Sequence, residues 1–153
     1  MAFLICLIFG IVAGMRSMLA PAVVSWAVWL GILHVDHTPL AFMGYHYTHL
    51  ILTVLALGEL IADKLPKTPS RKQPPSFIFR LVSGGLCGAT IGLSVHSLAG
   101  CLILGVLGAV AGTLEGAAAR AKLAALFHRD LPAALIEDAI AIVLAVGCVQ
   151  ALR

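Results

Sequence analysis

Five long apolar segments alternate with short polar ones along the 153-residue chain. A membrane-spanning helix needs about 20 mostly apolar residues, because the hydrocarbon core of a bilayer is about 30 Å thick. The pattern therefore predicts a single all-helical domain, a bundle of about five membrane spans. The predicted spans are 2–33, 46–65, 77–97, 98–126 and 132–152.

The first predicted span is too long for one straight crossing and contains a helix breaker. Its 32 residues would form a helix of about 48 Å. Pro21 lacks a backbone donor and crowds the carbonyl of Ser17, so we expect a break within 15–21, beside Arg16. Freed carbonyls and a half-helix amino terminus would then face the protein interior, as at the ion and substrate sites of transporters. A simple proline kink, with Arg16 neutralised by a carboxylate, is the alternative.

Composition excludes an ordinary soluble enzyme, since 61% of residues are hydrophobic and 11% are charged, against about 25% charged in soluble domains. A net charge of +3 is too small to indicate a nucleic-acid partner. The polar loop 64–80, the end of the fourth span and the turn after it together hold eight of the ten basic residues. By the positive-inside rule this side is cytoplasmic. We therefore predict a cytoplasmic amino terminus and a carboxyl terminus on the opposite, outer side of the membrane. Aromatic residues at the predicted outer interface agree with this orientation, namely Trp26, Trp29, Tyr45 and Tyr47.

Small residues and short matches recur between segments. Glycines repeat at every fourth position in 10–14, 84–92 and 108–116, a spacing that lets helices approach closely in lipid. Packing within one chain is the default interpretation, and a homodimer face is the alternative. GIVAG at 10–14 also matches GAVAG at 108–112, and ALGE at 56–59 matches ALIE at 134–137. Because five spans place the first and fourth in opposite directions, these matches predict an inverted two-span repeat around a central span, typical of transporters.

Carboxylates lie within or at the edges of the predicted spans. Because charges in lipid are costly, they should face the bundle interior, a wet cavity or the interface. With Arg16 and Ser17, they form the predicted substrate- or ion-binding site: Glu59, Asp63, Glu115, Glu137 and Asp138. The three glutamates fall at a similar depth, in the inner half of the membrane, and we expect Arg16 to pair with Glu59 or Glu115.

Two hypotheses follow from these charges. The excess of acid indicates a proton- or cation-binding vestibule open to the cytoplasm. The alternative is an ion-pair network that locks the helices, with Lys64, Arg120 and Lys122 supplying the missing positive charge.

Histidines cluster on the opposite, outer side. Two short spacings there are compatible with zinc or copper binding, and the candidate ligands are His34, Asp36, His37, His46 and His49. Solvated or interfacial histidines are the alternative. The four cysteines lie in apolar runs without a C-x-x-C pair, which indicates small buried side chains. The chain has no H-E-x-x-H, G-x-S-x-G or Walker motif, so we expect neither an enzyme nor a cofactor.

Two motifs resemble those of a family of small bacterial integral-membrane proteins. AGMRS at 13–17 is similar to its G-x-R-[S/A] element, and ELIADKLP at 59–66 to its E-L-x-A-D-K-x-P element. The chain continues with KTPSR at 67–71, as the shorter members do. This resemblance to domain-of-unknown-function family 4126 covers most of the chain and implies an inner-membrane location. It implies no activity, and its motif positions are Arg16, Glu59, Asp63, Lys64 and Pro66.

These patterns predict transport or permeation of a small solute or ion, coupled to a proton or a cation, by a homo-oligomer in the lipid bilayer. The alternative is a non-transporting membrane factor that stabilises a partner or the envelope. A cavity lined by Arg16 and the carboxylates favours transport. Carboxylates paired with arginine or lysine in a dry bundle favour the structural role.

Overall fold

The computed structural model describes residues 1–64 and 73–153, and this part of the chain is helical without strands. The all-helical class is therefore confirmed. The motif position Pro66 and the KTPSR segment at 67–71 lie outside the described residues. The helices are α1 (Ala2–Met15), α2 (Leu19–Trp29), a short 3-10 helix (Ala41–Gly44), α3 (Thr48–Ala62), α4 (Pro74–Ser94), α5 (Leu98–Phe127) and α6 (Asp130–Leu152).

Three of the helices in the described part of the chain, α4, α5 and α6, are long and apolar enough to cross a membrane. They correspond to the third, fourth and fifth predicted spans. The helices α1, α2 and α3 have only 14, 11 and 15 residues. Even the longest of them extends only about 22 Å, less than the hydrocarbon core of about 30 Å. The first half of the chain therefore differs from the predicted series of full-length spans.

Glycines join α1, α4 and α5 into a tightly packed group. A methyl group added to Gly10 would lie 2.9 Å from the Cα of Gly108, and one added to Gly84 would lie 2.7 Å from the Cβ of Ala109. Only glycine allows backbones to approach this closely in lipid. The glycine rows are therefore used for packing within the chain.

The matching GIVAG and GAVAG segments are partners in one of these contacts. Gly10 lies beside Gly108, and Gly14 lies beside Gly112 and Thr113. Because the contacts advance in the same order along both helices, α1 and α5 run parallel. Helices related by an inverted repeat run in opposite directions, so this pair gives no support to the predicted repeat. The two segments share small residues because both sides of one close contact require them.

The helices α1 and α2 form a hairpin rather than one kinked span. At the end of α1, Met15 contacts Arg80 near the start of α4. The backbone N–H of His34, just beyond α2, donates a hydrogen bond to the hydroxyl of Ser94 at the end of α4. Ser94 lies 14 positions after Arg80, about 21 Å along the helix. The chain thus reverses at 16–18, within the predicted break range. Segment 2–33 therefore does not cross the bundle, contrary to the prediction that it forms one span.

Because of this reversal, both termini lie at the same end of the bundle. The ring of Phe3 contacts the Cα region of Gly100 at the start of α5, where a methyl group would lie 2.7 Å from the ring. The helix α6 runs antiparallel to α5, since Glu137 lies beside Gly116 and Asp130 contacts Arg120. It therefore ends near the start of α5. We call this end the terminal end, and the opposite end, which carries Lys64, Arg120 and Asp130, the basic end.

The core between the hairpin and α4–α5 is apolar. It includes Phe9 and Val12 of α1, Val24 of α2 and Ile91 of α4, all fully buried. The cysteines are buried and free, as the sequence predicts: Cys6, Cys87, Cys101 and Cys148. This apolar layer separates the hairpin tip from the terminal end of the bundle.

Candidate functional site

The break between α1 and α2 brings Glu59 of α3 against the backbone where α2 begins. Glu59 Oε1 accepts hydrogen bonds from the backbone N–H of Ser17 at 2.9 Å and from its hydroxyl at 2.8 Å. Glu59 Oε2 accepts one from the backbone N–H of Met18 at 2.8 Å. Helix amino termini carry unsatisfied N–H groups and favour negative charge. Glu59 is therefore bound to the start of the second half-helix rather than to Arg16.

The carbonyls at the end of α1 are bound by Arg80. Its Nη1 donates to the carbonyl oxygens of Gly14 at 2.7 Å and Met15 at 2.8 Å. Its Nη2 also lies 3.7 Å from Glu59 Oε1. The sequence interpretation placed Arg80 in the polar loop, whereas it is a buried residue of α4. Arg80 falls in both the predicted loop 64–80 and the predicted span 77–97, and α4 begins three residues before that span, at Pro74, since proline is favoured in the first turn of a helix.

Arg16 lies at the centre of a group of carboxylates and is 0% exposed. Its Nη1 contacts Asp63 and its Nη2 contacts Asp138. Glu137 Oε2 lies 3.9 Å from Nη2. The expected pairing of Arg16 with Glu59 or Glu115 is therefore wrong. A buried charge needs paired counter-charges to offset its desolvation, and here α6 and the end of α3 provide them.

Two further basic residues connect this group to the basic end. Lys64 Nζ lies 2.9 Å from Asp138 Oδ2. Arg120 Nη1 lies 3.0 Å from Asp63 Oδ2, and its Nε donates to Asp130 Oδ1 at 2.9 Å. Because the Asp130 side chain is 60% exposed, a continuous series of charged groups runs from the buried Arg16 to the surface. We call these side chains, with Glu59, Ser17 and Arg80, the Arg16 network.

Glu115 is the predicted site residue that the structure places elsewhere. It is exposed, whereas the adjacent Gly116 is buried and faces Glu137. Successive residues of a helix do not share a face, so Glu115 has the predicted depth but points away from the network. Lys122, expected to supply positive charge, is also exposed.

The structure does not assemble the predicted metal site from the outer histidines. His49 is 2% exposed and packs against Trp26 and Trp29, with ring centroids 4.3 Å and 4.7 Å away. Three other candidates line a separate groove, namely His34, Asp36 and His37. Within residues 1–64 and 73–153, no three His, Cys, Asp or Glu side chains are placed to hold one metal ion. The spacing of these residues along the sequence does not determine where their side chains point. His49 faces the tryptophans of α2, whereas the loop residues face water.

The Arg16 network combines features of the two hypotheses for these charges, an ion-pair network that locks the helices and a vestibule that binds a proton or a cation. Its carboxylates contact arginine or lysine, as the structural alternative requires. It also reaches solvent through Asp130 and contains both half-helix ends, as expected for a vestibule at a helix break.

Comparisons of the chain with protein-family models, with curated proteins and with solved structures give no match. The resemblance to family 4126 therefore continues to depend on the two sequence motifs. The residues that sequence reasoning missed are Arg80 and Asp130, both assigned to loops. The proline pair at 74–75 was the available signal for Arg80, because it marks the start of a helix that contains this arginine.

Proposed function

We propose that this protein moves a small solute or ion across the bacterial inner membrane, coupled to a proton or a cation. The observation that carries this proposal is the pair of helix ends at the hairpin tip, the end of α1 and the start of α2. They lie inside the bundle against Arg80 and Glu59. Interrupted helices whose ends face a buried polar site form the binding sites of many secondary transporters. Irregular backbone at membrane depth is tolerated where protein or a water-filled cavity surrounds it.

The sharing of charges around Arg16 supports a movable site. Arg16 lies near Asp63, Glu137 and Asp138. Arg120 also contacts Asp63 and lies 3.8 Å from Glu137. Since each arginine is shared, one ion pair can open while another persists. A proton or cation that enters beside Asp130 would compete with Arg120 for Asp63. In this proposal, the network with all its ion pairs formed is the closed form of the site.

The apolar layer between the hairpin tip and the terminal end determines which helices must move for a solute to cross. Phe9, Val24 and Ile91 are fully buried between the network and the terminal end. A solute bound at the network therefore has access to the basic end alone. Access to the other end requires the α1–α2 hairpin to shift against α4 and α5.

The basic end is cytoplasmic in this proposal, because Lys and Arg concentrate in cytoplasmic loops. The four family 4126 motif positions within the described residues all lie in the Arg16 network: Arg16, Glu59, Asp63 and Lys64. Their convergence supports a link between the two motifs and the proposed function, and with it the inner-membrane location.

A second candidate function is favoured by the tightness of the ion pairs. A non-transporting factor would use the Arg16 network only to fix the short helices α1, α2 and α3 against α6. Lys64, Arg16 and Arg120 contact the carboxylates directly, which fits a static network. The two candidates differ in whether the purified protein moves anything across a membrane.

The deciding experiment is a flux assay in proteoliposomes with and without a pH gradient. Internal pH would be followed by a trapped dye, in the presence of Na⁺, K⁺ and a mixture of amino acids, sugars and amines. We expect protein-dependent proton movement, and a loss of at least about tenfold in Glu59→Gln, since the amide keeps the shape but neither binds a proton nor carries a charge. Glu115→Gln is the matched control, because this exposed glutamate has the same depth outside the network.

Wild-type vesicles that move no more protons or solutes than protein-free vesicles would contradict the proposal and support the static alternative. Equal losses in Glu59→Gln and Glu115→Gln would remove the Arg16 network from the pathway. Both variants must first show the elution volume and thermal stability of a folded protein.

A further inference from the structure

A groove of about 510 Å³ lies at the terminal end of the bundle. It is formed between the end of α2 and the segment that leads through Ala41–Gly44 to α3. Ligand-binding cavities for small molecules have volumes of about 300–1,000 Å³. The hydrogen bond between His34 and Ser94 places the groove at the end of α4, whereas the Arg16 network lies near the start of that helix. The groove is therefore large enough for a small molecule and is separate from the Arg16 network.

The lining of the groove combines two aromatic rings with one carboxylate, namely those of Trp29, Tyr45 and Asp36. The rings are accessible, since Trp29 is 43% and Tyr45 63% exposed. No lysine or arginine occurs among the described residues that line the groove. Aromatic ring faces and a carboxylate both attract positive charge, and the rings favour a cation with apolar substituents.

Neighbouring aromatic side chains hold Trp29 in position. Its ring packs edge-on against Trp26 at a centroid distance of 5.4 Å and lies tilted against the ring of His49 at 4.7 Å. The opposite wall is fixed to α2, because Ser25 donates a hydrogen bond to the carbonyl of Met43. A preformed wall reduces the ordering cost of binding.

We propose that this groove binds a small organic ammonium ion, with its cationic group among Trp29, Tyr45 and Asp36. His34 and His37 also line the groove and offer ring nitrogens to an N–H or hydroxyl group of the ligand. A bare metal ion fits less well, since the described side chains provide no group of three ligands. Binding here requires no transport, so it can be tested whether or not the Arg16 network moves a solute.

The test compares choline with 3,3-dimethylbutan-1-ol, which has the same shape but no charge. Purified full-length protein in a maltoside detergent, which carries no ammonium group, would be titrated by isothermal calorimetry and by tryptophan fluorescence. We expect saturable binding of choline at millimolar concentrations and a Kd at least about tenfold weaker for the neutral analogue.

Variants then assign the binding to the groove. Asp36→Asn and Tyr45→Leu should each weaken choline binding by about tenfold, because one removes the carboxylate and the other an aromatic face. Tyr47→Leu is the matched control, since Tyr47 is 71% exposed two residues away and does not line the groove. Both tyrosines are exposed, so neither replacement should disturb folding.

Three results would overturn the proposal. One is the absence of saturable choline binding, and another is equal binding of the neutral analogue, which would indicate only an apolar groove. The third is an equal effect of Tyr45→Leu and Tyr47→Leu. Zn²⁺ titrated alone is a separate arm: where choline does not bind, micromolar Zn²⁺ binding that is lost in Asp36→Asn would restore the metal prediction.

Discussion

Arg16 shows at the scale of single residues how the hairpin tip is stabilised. It is fully buried, yet it contacts carboxylates from two distant parts of the chain, Asp63 after α3 and Asp138 in α6. A buried arginine without such partners would be costly, and the partners without arginine would repel each other. Arg16 therefore ties the α1–α2 turn to the rest of the bundle.

Replacing Arg16 with methionine should destabilise the protein, because methionine keeps much of the volume but removes the charge. Removal of one member of a buried ion pair costs about 3–5 kcal/mol, and we expect about 3 kcal/mol, since Lys64 and Arg120 still contact the two aspartates. The measurement is the free energy of unfolding in detergent. Arg129→Met is the control, because Arg129 is exposed and should change stability by no more than about 0.5 kcal/mol. Equal stabilities of the two variants would show that the Arg16 contacts contribute nothing.

The sequence identified most of the residues at this site but not their pairing. Buried charge in an apolar segment is visible from composition alone, which is why Arg16, Glu59 and Glu137 were predicted. Which carboxylate meets which cation depends on the rotation of each helix about its axis. A difference of one position separates the exposed Glu115 from the buried Gly116, and the weak alternation of polar residues in these helices does not define that rotation.

At the scale of helices, the contact between α1 and α5 depends on glycine. A methyl group on Gly108 would lie 2.9 Å from both the Cα of Gly10 and the backbone nitrogen of Ile11. Backbone atoms cannot move aside as a flexible side chain can, so the helices would have to separate. Overpacking of this kind costs about 1–3 kcal/mol.

Gly108→Ala should therefore lower the free energy of unfolding by at least about 2 kcal/mol. Gly147→Ala in α6 is the matched control, since a methyl group there has no atom within 4 Å. Alanine is the better helix former by about 1 kcal/mol, so the control should be unchanged or slightly more stable. Thermal unfolding of both variants in the same detergent checks this. If Gly108→Ala is as stable as Gly147→Ala, the close contact between α1 and α5 is wrong.

Some helices could be predicted from the sequence and others could not. The helices α4, α5 and α6 follow from length and apolar content, because each is long enough to cross a membrane. For the α1–α2 hairpin, Pro21 predicts the break beside Arg16 but not the reversal of direction, since Ser17 is the one residue of 16–18 that favours a turn. The backbone groups at the turn are hydrogen-bonded by side chains distant in sequence, Glu59 and Arg80. A local sequence pattern therefore does not predict the reversal.

At the scale of the whole molecule, the hairpin changes the topology. The six helices α1 to α6 of the described chain alternate in direction, which places both termini at the terminal end. Five crossings would have placed them on opposite sides. In the proposed orientation, with the basic end in the cytoplasm, we expect both termini on the periplasmic side, whereas the sequence predicted a cytoplasmic amino terminus.

Labelling of single introduced cysteines in intact cells or spheroplasts would test this arrangement with a membrane-impermeant maleimide. The four native cysteines are buried and should react slowly, because inert structural thiols are inaccessible. We expect Ala2→Cys and Arg153→Cys to be labelled from outside, and Arg129→Cys, in the turn between α5 and α6, only after permeabilisation. Arg129 serves as the control because it lies at the basic end, opposite both termini. Labelling of Arg153→Cys alone from outside, with Ala2→Cys protected like Arg129→Cys, would show that segment 2–33 crosses the membrane after all. The α1–α2 hairpin, and the half-helix ends on which the proposed transport site depends, would then be wrong.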